Sequence, residues 1–219
     1  AQMLAFLTPS VMVYVFGMDK DAVDSRNIPH TARAAFSIGA MLSIMTILWS
    51  IARVPELPLT AAEKAHIARQ PKGVAATFRE IWAAIVEMPE AMRKLAVMSL
   101  FQWSAMAAYW GYVIYSIGRS VYQTSDPTSD GFRSSVLANG EMAAFYNCIA
   151  FFAAFALVPF TKRFGPAVVH AVCLSLAGLG MTALPHIESK WMLFMPAVGV
   201  GLGWASIMGN PYVILAGSI

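Results

Sequence analysis

Apolar positions in this chain are gathered into long unbroken runs. Residues 34–52, 95–118, 142–161, 164–187 and 191–219 contain no Asp, Glu, Lys or Arg. A helix needs about 20 mostly apolar residues to cross the hydrocarbon core of a bilayer, so each run predicts a spanning helix. A helix on the surface of a soluble domain keeps a polar face, and none of these runs carries a continuous polar stripe. The pattern predicts an all-α, polytopic transmembrane helix bundle. Residues 1–18 are apolar as well and read as the last part of one further span. Ala1 stands inside an apolar stretch and Ile219 is still apolar, so both ends read as cuts through helices. The expectation is a truncated, internal segment of a longer protein.

The breaks between the runs are chemically clear. Pro29 precedes the run from Ala34, and Asp126-Pro127-Thr128-Ser129-Asp130-Gly131 predicts a turn-rich loop. Phe164-Gly165-Pro166 separates two spans by a turn so short that they must be antiparallel neighbours. Residues 77–88 differ from the runs. Phe78, Ile81, Trp82, Ile85 and Val86 recur at helical spacing, with Arg79, Glu80 and Glu87 around the rest of the helix. That predicts a short amphipathic helix, lying at a membrane interface with Trp82 among the headgroups or packed on other loops.

Composition agrees with a membrane protein. The chain is 58% hydrophobic and 12% charged, with a mean hydropathy of +0.60, against about 25% charged residues in soluble chains. The net charge of +3 is confined to particular loops, so it speaks for topology and not for nucleic acid. Residues 53–94 carry Arg53, Lys64, Arg69, Lys72, Arg79, Arg93 and Lys94, against Glu56, Glu63, Glu80, Glu87 and Glu90. Lys162 and Arg163 mark the turn after the span 142–161. Lys and Arg set orientation, which puts both segments on the cytoplasmic side and loops 19–33, 119–141 and 188–190 outside. Cys148 and Cys173 fall inside apolar runs, as small buried hydrophobes. Residues 1–18 lack the basic start and cleavage site of a signal peptide.

Enzyme motifs are missing: there is no His-Glu-x-x-His, Gly-x-Ser-x-Gly or phosphate-binding glycine loop. His170 and His186 stand alone, with no metal partner at ligand spacing, so neither a metal nor a cofactor is expected. Polar residues inside the spans are the better clue, because they are costly in hydrocarbon and face a bundle interior or a watery cavity. Gln102, Tyr109 and Ser116 are seven apart and share a face, with Trp103, Trp110, Tyr112 and Tyr115 nearby. An amide among aromatic rings suits a sugar, whose C–H faces stack on rings while its hydroxyls hydrogen-bond. An aromatic belt at the membrane surface is the alternative, and claims Tyr115 and Tyr122.

Asn139, Glu141 and Asn147 open the span 142–161. Glu141 there is either a shielded proton or substrate site, its carboxyl pKa raised by desolvation, or a residue complementing the helix dipole in water. The last run holds Gly199, Gly201, Gly203, Gly209 and Gly217, with Trp204, Asn210 and Pro211. It reads as a mobile, substrate-lining helix or as one packed closely on its neighbours.

Met88-Pro89-Glu90-Ala91-Met92-Arg93-Lys94-Leu95, leading into Phe101-Gln102-Trp103, resembles the start of the seventh helix in sucrose and maltose carriers. These belong to the glycoside–pentoside–hexuronide group of the major facilitator superfamily. Gly201-Leu202-Gly203-Trp204-Ala205 through Asn210-Pro211-Tyr212 is similar to their tenth helix, and Thr161-Lys162-Arg163-Phe164-Gly165 to the basic turn between the eighth and ninth. The resemblance covers nearly the whole chain, from the late fifth helix to the tenth. It implies that residues 1–53 end the N-terminal six-helix half, 54–92 form the central cytoplasmic loop, and 93–219 begin the C-terminal half. It implies a twelve-helix carrier working by alternating access around a midplane site, in a bacterial-type inner membrane, with a sugar and protons as partners. By the same resemblance Gln102, Trp103, Tyr109, Asn147 and Asn210 would line the sugar cavity, and Glu141 is a candidate for proton coupling. The expected function is therefore secondary active transport of a sugar such as sucrose or maltose, in symport with protons. The alternatives are a related carrier for another solute, and, from a different class, a membrane-embedded enzyme or scaffold.

Overall fold

A computed structural model describes residues 2–26, 28–55, 58–69 and 73–217. Ala1, Glu56, Lys72, Ile219 and the side chain of Arg69, on which parts of the sequence reading rest, lie outside what is described. The described residues form eight α-helices and no β-strand: α1 (Gln2–Tyr14), α2 (His30–Arg53), α3 (Ala61–Arg69), α4 (Val74–Val86), α5 (Glu90–Ser120), α6 (Asp130–Phe164), α7 (Pro166–Ala183) and α8 (Phe194–Ala216). Two 3-10 turns, Leu184–His186 and Lys190–Leu193, join the last two helices.

Among the described residues, four segments are long and apolar enough to cross a membrane: His30–Arg53, Asp130–Phe164, Pro166–His186 and Lys190–Ala216. The fifth expected span, 95–118, lies on α5. Its 31 residues are long enough at about 1.5 Å per residue. Gln102, Trp103, Tyr109, Trp110 and Tyr112 make it more polar than the other four, which the absence of charge alone does not reveal.

The start of α6 corrects a second expectation. The sequence pattern assigns residues 130–141 to a loop and opens the helix near Asn139, but α6 begins at Asp130. The Ser129 hydroxyl accepts from the Phe132 backbone N–H at 3.2 Å, and the Asp130 carboxylate pairs with Arg133 one turn on at 2.8 Å. A capped N-terminus with an acid in its first turn sustains a helix without apolar periodicity. Glu141 is therefore in the helix interior, where it cannot complement the dipole of an N-terminus. At the other end, Gly165 has φ +84, a left-handed conformation that favours glycine. It ends α6, and Pro166 starts α7 with the φ that a first helical turn requires.

The core is built from α5, α6, α8 and the 3-10 turns, with Met106, Val113, Ile117, Met142, Tyr146, Leu193, Val200 and Ile207 among its buried residues. Helix α8 lies between α6 and α7. Its glycines make that possible: a Cβ on Gly201 would stand 2.7 Å from the Tyr146 carbonyl oxygen of α6, and one on Gly203 would stand 2.5 Å from the Ala177 Cβ of α7. One on Gly199 would collide with the Leu176 carbonyl. This is close packing through small residues, the second of the two readings, for the first half of α8.

At one end of the bundle Asp21 meets Arg133 at 3.7 Å and Glu141 meets Lys190 at 2.8 Å. The three loops grouped by charge thus stand together in space. Helix α2 packs on α1, with Thr31 its one buried residue, and is apolar nearly all round. Helix α4 overlaps the expected amphipathic segment, starting three residues before it. It buries no side chain, leaving Phe78, Ile81, Trp82 and Ile85 exposed.

Candidate functional site

Three helices converge on one buried chain of polar side chains. On α7, His170 is the fifth residue after the Gly165 turn and only 2% exposed. Its Nε2 lies 3.1 Å from Gln102 Oε1 on α5, and its Nδ1 lies 2.8 Å from Ser206 Oγ on α8. One turn further along α8, Asn210 Nδ2 donates to Ser206 Oγ at 2.7 Å. The donor count closes with one arrangement. Asn210 N–H donates to Ser206, Ser206 O–H donates to His170 Nδ1, and His170 Nε2–H donates to the Gln102 carbonyl. Every step joins a donor to an acceptor with the imidazole neutral. The chain ends in the Gln102 amide nitrogen on one side and the Asn210 amide oxygen on the other.

The helical spacing explains the convergence. Ser206 and Asn210 are four apart and share a face of α8, the face on which Gly203 brings α7 to backbone distance. Gln102 belongs to the buried face of α5, which continues through Met106, Tyr109, Val113 and Ile117. Buried polar groups are retained where they are hydrogen-bonded, and the two imidazole nitrogens meet that condition from different helices.

Beside the chain stands an aromatic wall. Trp103 and Trp110, two turns apart on α5, both set their rings against Trp204 of α8, with centroids 6.3 and 5.8 Å away at interplanar angles of 87° and 74°. Trp103 and Trp110 are themselves 6.3 Å apart. Trp204 is buried, whereas Trp103 is 44% and Trp110 43% exposed, so two part-exposed indoles stand against a buried third. The Tyr146 hydroxyl of α6 reaches the Trp110 and Asn147 side chains. Next to it the Tyr109 hydroxyl is buried with no hydrogen-bond partner.

Of the residues singled out from sequence, Gln102 and Asn210 are brought into one hydrogen-bonded chain, and Trp103 into the wall that adjoins it. Tyr109 lies deeper, on the α6 side. Asn147 donates to its own helix, to the Ala143 carbonyl at 2.8 Å, and its side chain is within reach of the Tyr146 hydroxyl. Glu141 is elsewhere: both carboxylate oxygens engage Lys190 Nζ, at 3.1 and 2.8 Å. It is thus an ion-paired residue at the end of the bundle, and not a lone shielded carboxyl.

His170 and Ser206 are the residues that sequence reasoning misses. A test for metal ligands passes over His170, and no group of metal-binding side chains occurs among the described residues. The usable signal is simpler: an ionisable residue inside an apolar span is a functional candidate by default. No protein-family model, curated protein or solved structure matches the chain.

Proposed function

We propose that this chain is part of a secondary carrier for a sugar, of the major facilitator type, with its binding wall built by α5 and α8. The observation that carries the reading is the pairing of a buried hydrogen-bonded chain (Gln102, His170, Ser206, Asn210) with two exposed indoles. Amides bind hydroxyl groups as both donors and acceptors, and indole faces suit the C–H surface of a pyranose. No Asp, Glu, Lys or Arg occurs in spans 95–118, 142–161, 164–187 or 191–217, which favours a neutral, polyhydroxylated substrate over an anion. In this reading α1 and α2 end the N-terminal half, α3 and α4 belong to the cytoplasmic loop, and α5–α8 are the seventh to tenth helices. The membrane is a bacterial-type inner membrane and transport proceeds by alternating access with proton symport.

The test is uptake of radiolabelled sucrose and maltose by vesicles carrying the full-length protein, with and without an inward proton gradient. Gradient-dependent accumulation that Gln102→Ala abolishes is the expected result. Absence of uptake of both sugars, with folded protein in the vesicles, removes the disaccharide assignment and leaves a carrier for another solute.

A further inference from the structure

We propose that His170 is the proton-accepting residue of this site, and that a proton taken up at Nδ1 reverses the His170–Ser206 hydrogen bond and thereby ties protonation to sugar binding. The inference rests on the proposed carrier function and adds to it the residue and the hydrogen bond through which the proton acts.

With the imidazole neutral, Ser206 O–H donates to Nδ1 while Oγ accepts from Asn210. When a proton arrives at Nδ1 both ring nitrogens become donors. Nε2–H keeps its bond to Gln102 Oε1. Nδ1–H then donates to Ser206, at Oγ or at the backbone carbonyl beside it, so the Ser206 hydroxyl loses Nδ1 as its acceptor, keeps its proton and must turn it elsewhere. Ser206 Oγ still accepts from Asn210, and its O–H needs a new acceptor. The Cys173 thiol, one turn from His170 on α7, is within hydrogen-bond reach of Ser206, but sulfur is a weak acceptor. The balance is simple: one proton enters, no bond between heavy atoms changes, and the site gains one positive charge.

That charge has no carboxylate to meet it. Helix α5 brings Gln102 and, two turns on, Tyr109; α8 brings Ser206, Asn210 and, beyond them, Tyr212. Helix α6 brings Tyr146 and Cys148, α7 itself Cys173, and the 3-10 turn at the far end of α7 carries His186. None of these described residues is a carboxylate, so the imidazolium is met by neutral oxygens. A sugar hydroxyl oxygen that accepts from the Gln102 amide N–H polarises that amide, makes its carbonyl a stronger acceptor for Nε2–H and so favours the protonated form. By linkage, protonation must favour the sugar by the same factor. Histidine is the side chain whose charge changes in the ordinary physiological range, and the buried His170 on α7 shares its hydrogen bonds with α5 and α8.

Two measurements on the full-length protein test this. In vesicles with no gradient, equilibrium exchange of radiolabelled sucrose, and of maltose in a second series, is followed from about pH 5.5 to 8. Wild type is expected to change about threefold or more over that interval, and His170→Gln, scaled to its own maximum, to be flat. A wild-type pH profile in His170→Gln overturns the proposal. The second readout needs no variant activity: nitrogen NMR of ring-labelled histidine in wild type, with His170 identified by the signal missing in His170→Gln. Added sucrose or maltose at fixed pH is expected to convert Nδ1 from its unprotonated to its protonated signal. An Nδ1 that stays unprotonated across the interval, with and without sugar, overturns the proposal even if His170→Gln fails to fold. Wild-type vesicles that exchange neither sugar, while His170 still titrates, count against the carrier reading instead.

Discussion

Helices α7 and α8 meet backbone to backbone, whereas α5 is joined to the same pair through side chains. Along the α7–α8 seam, Gly180, Gly199 and Gly203 leave no room for a single added carbon. Helix α5 packs on α6 and on the 3-10 turn Leu184–His186. It reaches α7 and α8 through the Gln102–His170 hydrogen bond and the Trp103–Trp110–Trp204 contacts. In lipid, where apolar surface gains little by leaving the solvent, close van der Waals contact is what holds helices together. A glycine seam supplies it and fixes one distance. A junction made of an amide, an imidazole and three indoles can be broken and remade, because rotamers change more readily than backbones. The comparison divides the bundle into a rigid pair and a helix able to part from it.

The largest effect is expected where the rigid seam is broken. Gly203→Leu puts four carbons where even a Cβ stands 2.5 Å from the Ala177 Cβ. Overpacking of this kind costs about 3 kcal/mol, and the expected outcome is a collapse of the detergent melting temperature or loss of folded protein. Gly209→Ala on the same helix meets nothing within 4 Å and is expected to lose no stability. If both variants melt alike, the seam is not what holds α7 to α8.

The next effect belongs to the separable junction. Gln102→Leu leaves the His170 Nε2–H buried without an acceptor, a loss of about 1–3 kcal/mol, smaller than that of Gly203→Leu. Because α5 keeps its contacts with α6 and the 3-10 turn, unfolding should stay cooperative, while the accessibility of a cysteine placed on α5, at Ser104 for example, increases. Glu141→Gln comes third. The Glu141–Lys190 pair is partly exposed, with side chains 19% and 29% accessible, and pairs near the surface are worth about 1 kcal/mol or less. Its melt should move little and should respond to salt less than wild type.

How far the sequence reveals this arrangement depends on the kind of contact. The helical bundle is legible, since charge-free runs of bilayer length are too apolar for helices that face water. The inward face of α5 is legible too, because Gln102 and Tyr109 are seven apart. The start of α6 is not. Its first three turns are held by the Ser129 cap and the Asp130–Arg133 pair, neither of which leaves a mark in the pattern of apolar runs. The meeting of His170 with Gln102 and Ser206 is not legible either, since they are separated by 68 and 36 residues along the chain. Only packing brings those residues together, and the glycines that permit it signal close contact without naming the partner helix.

The smallest expected effect lies outside the junctions, in the loop that leads into α6. Asp126 accepts from the Thr128 backbone N–H at 2.9 Å and from the Thr128 hydroxyl at 2.8 Å, and these bonds hold its carboxyl below the usual carboxylate value. A group whose pKa is lowered on folding contributes stability above its unfolded pKa and loses it as the pH falls through the folded one. The contribution is therefore constant at neutral pH and fades only in acid. Asp126→Asn retains an acceptor for Thr128 but cannot be charged, so its melting temperature should lie slightly below wild type near pH 7 and converge with it as the pH falls through the carboxyl's titration. The turn bears on the comparison because it sets where α6 begins, not how α5 meets α7 and α8. A change at Asp126 that altered cysteine accessibility on α5 as strongly as Gln102→Leu would mean that α5 is positioned from the loop that follows it, and that the His170 junction follows from it.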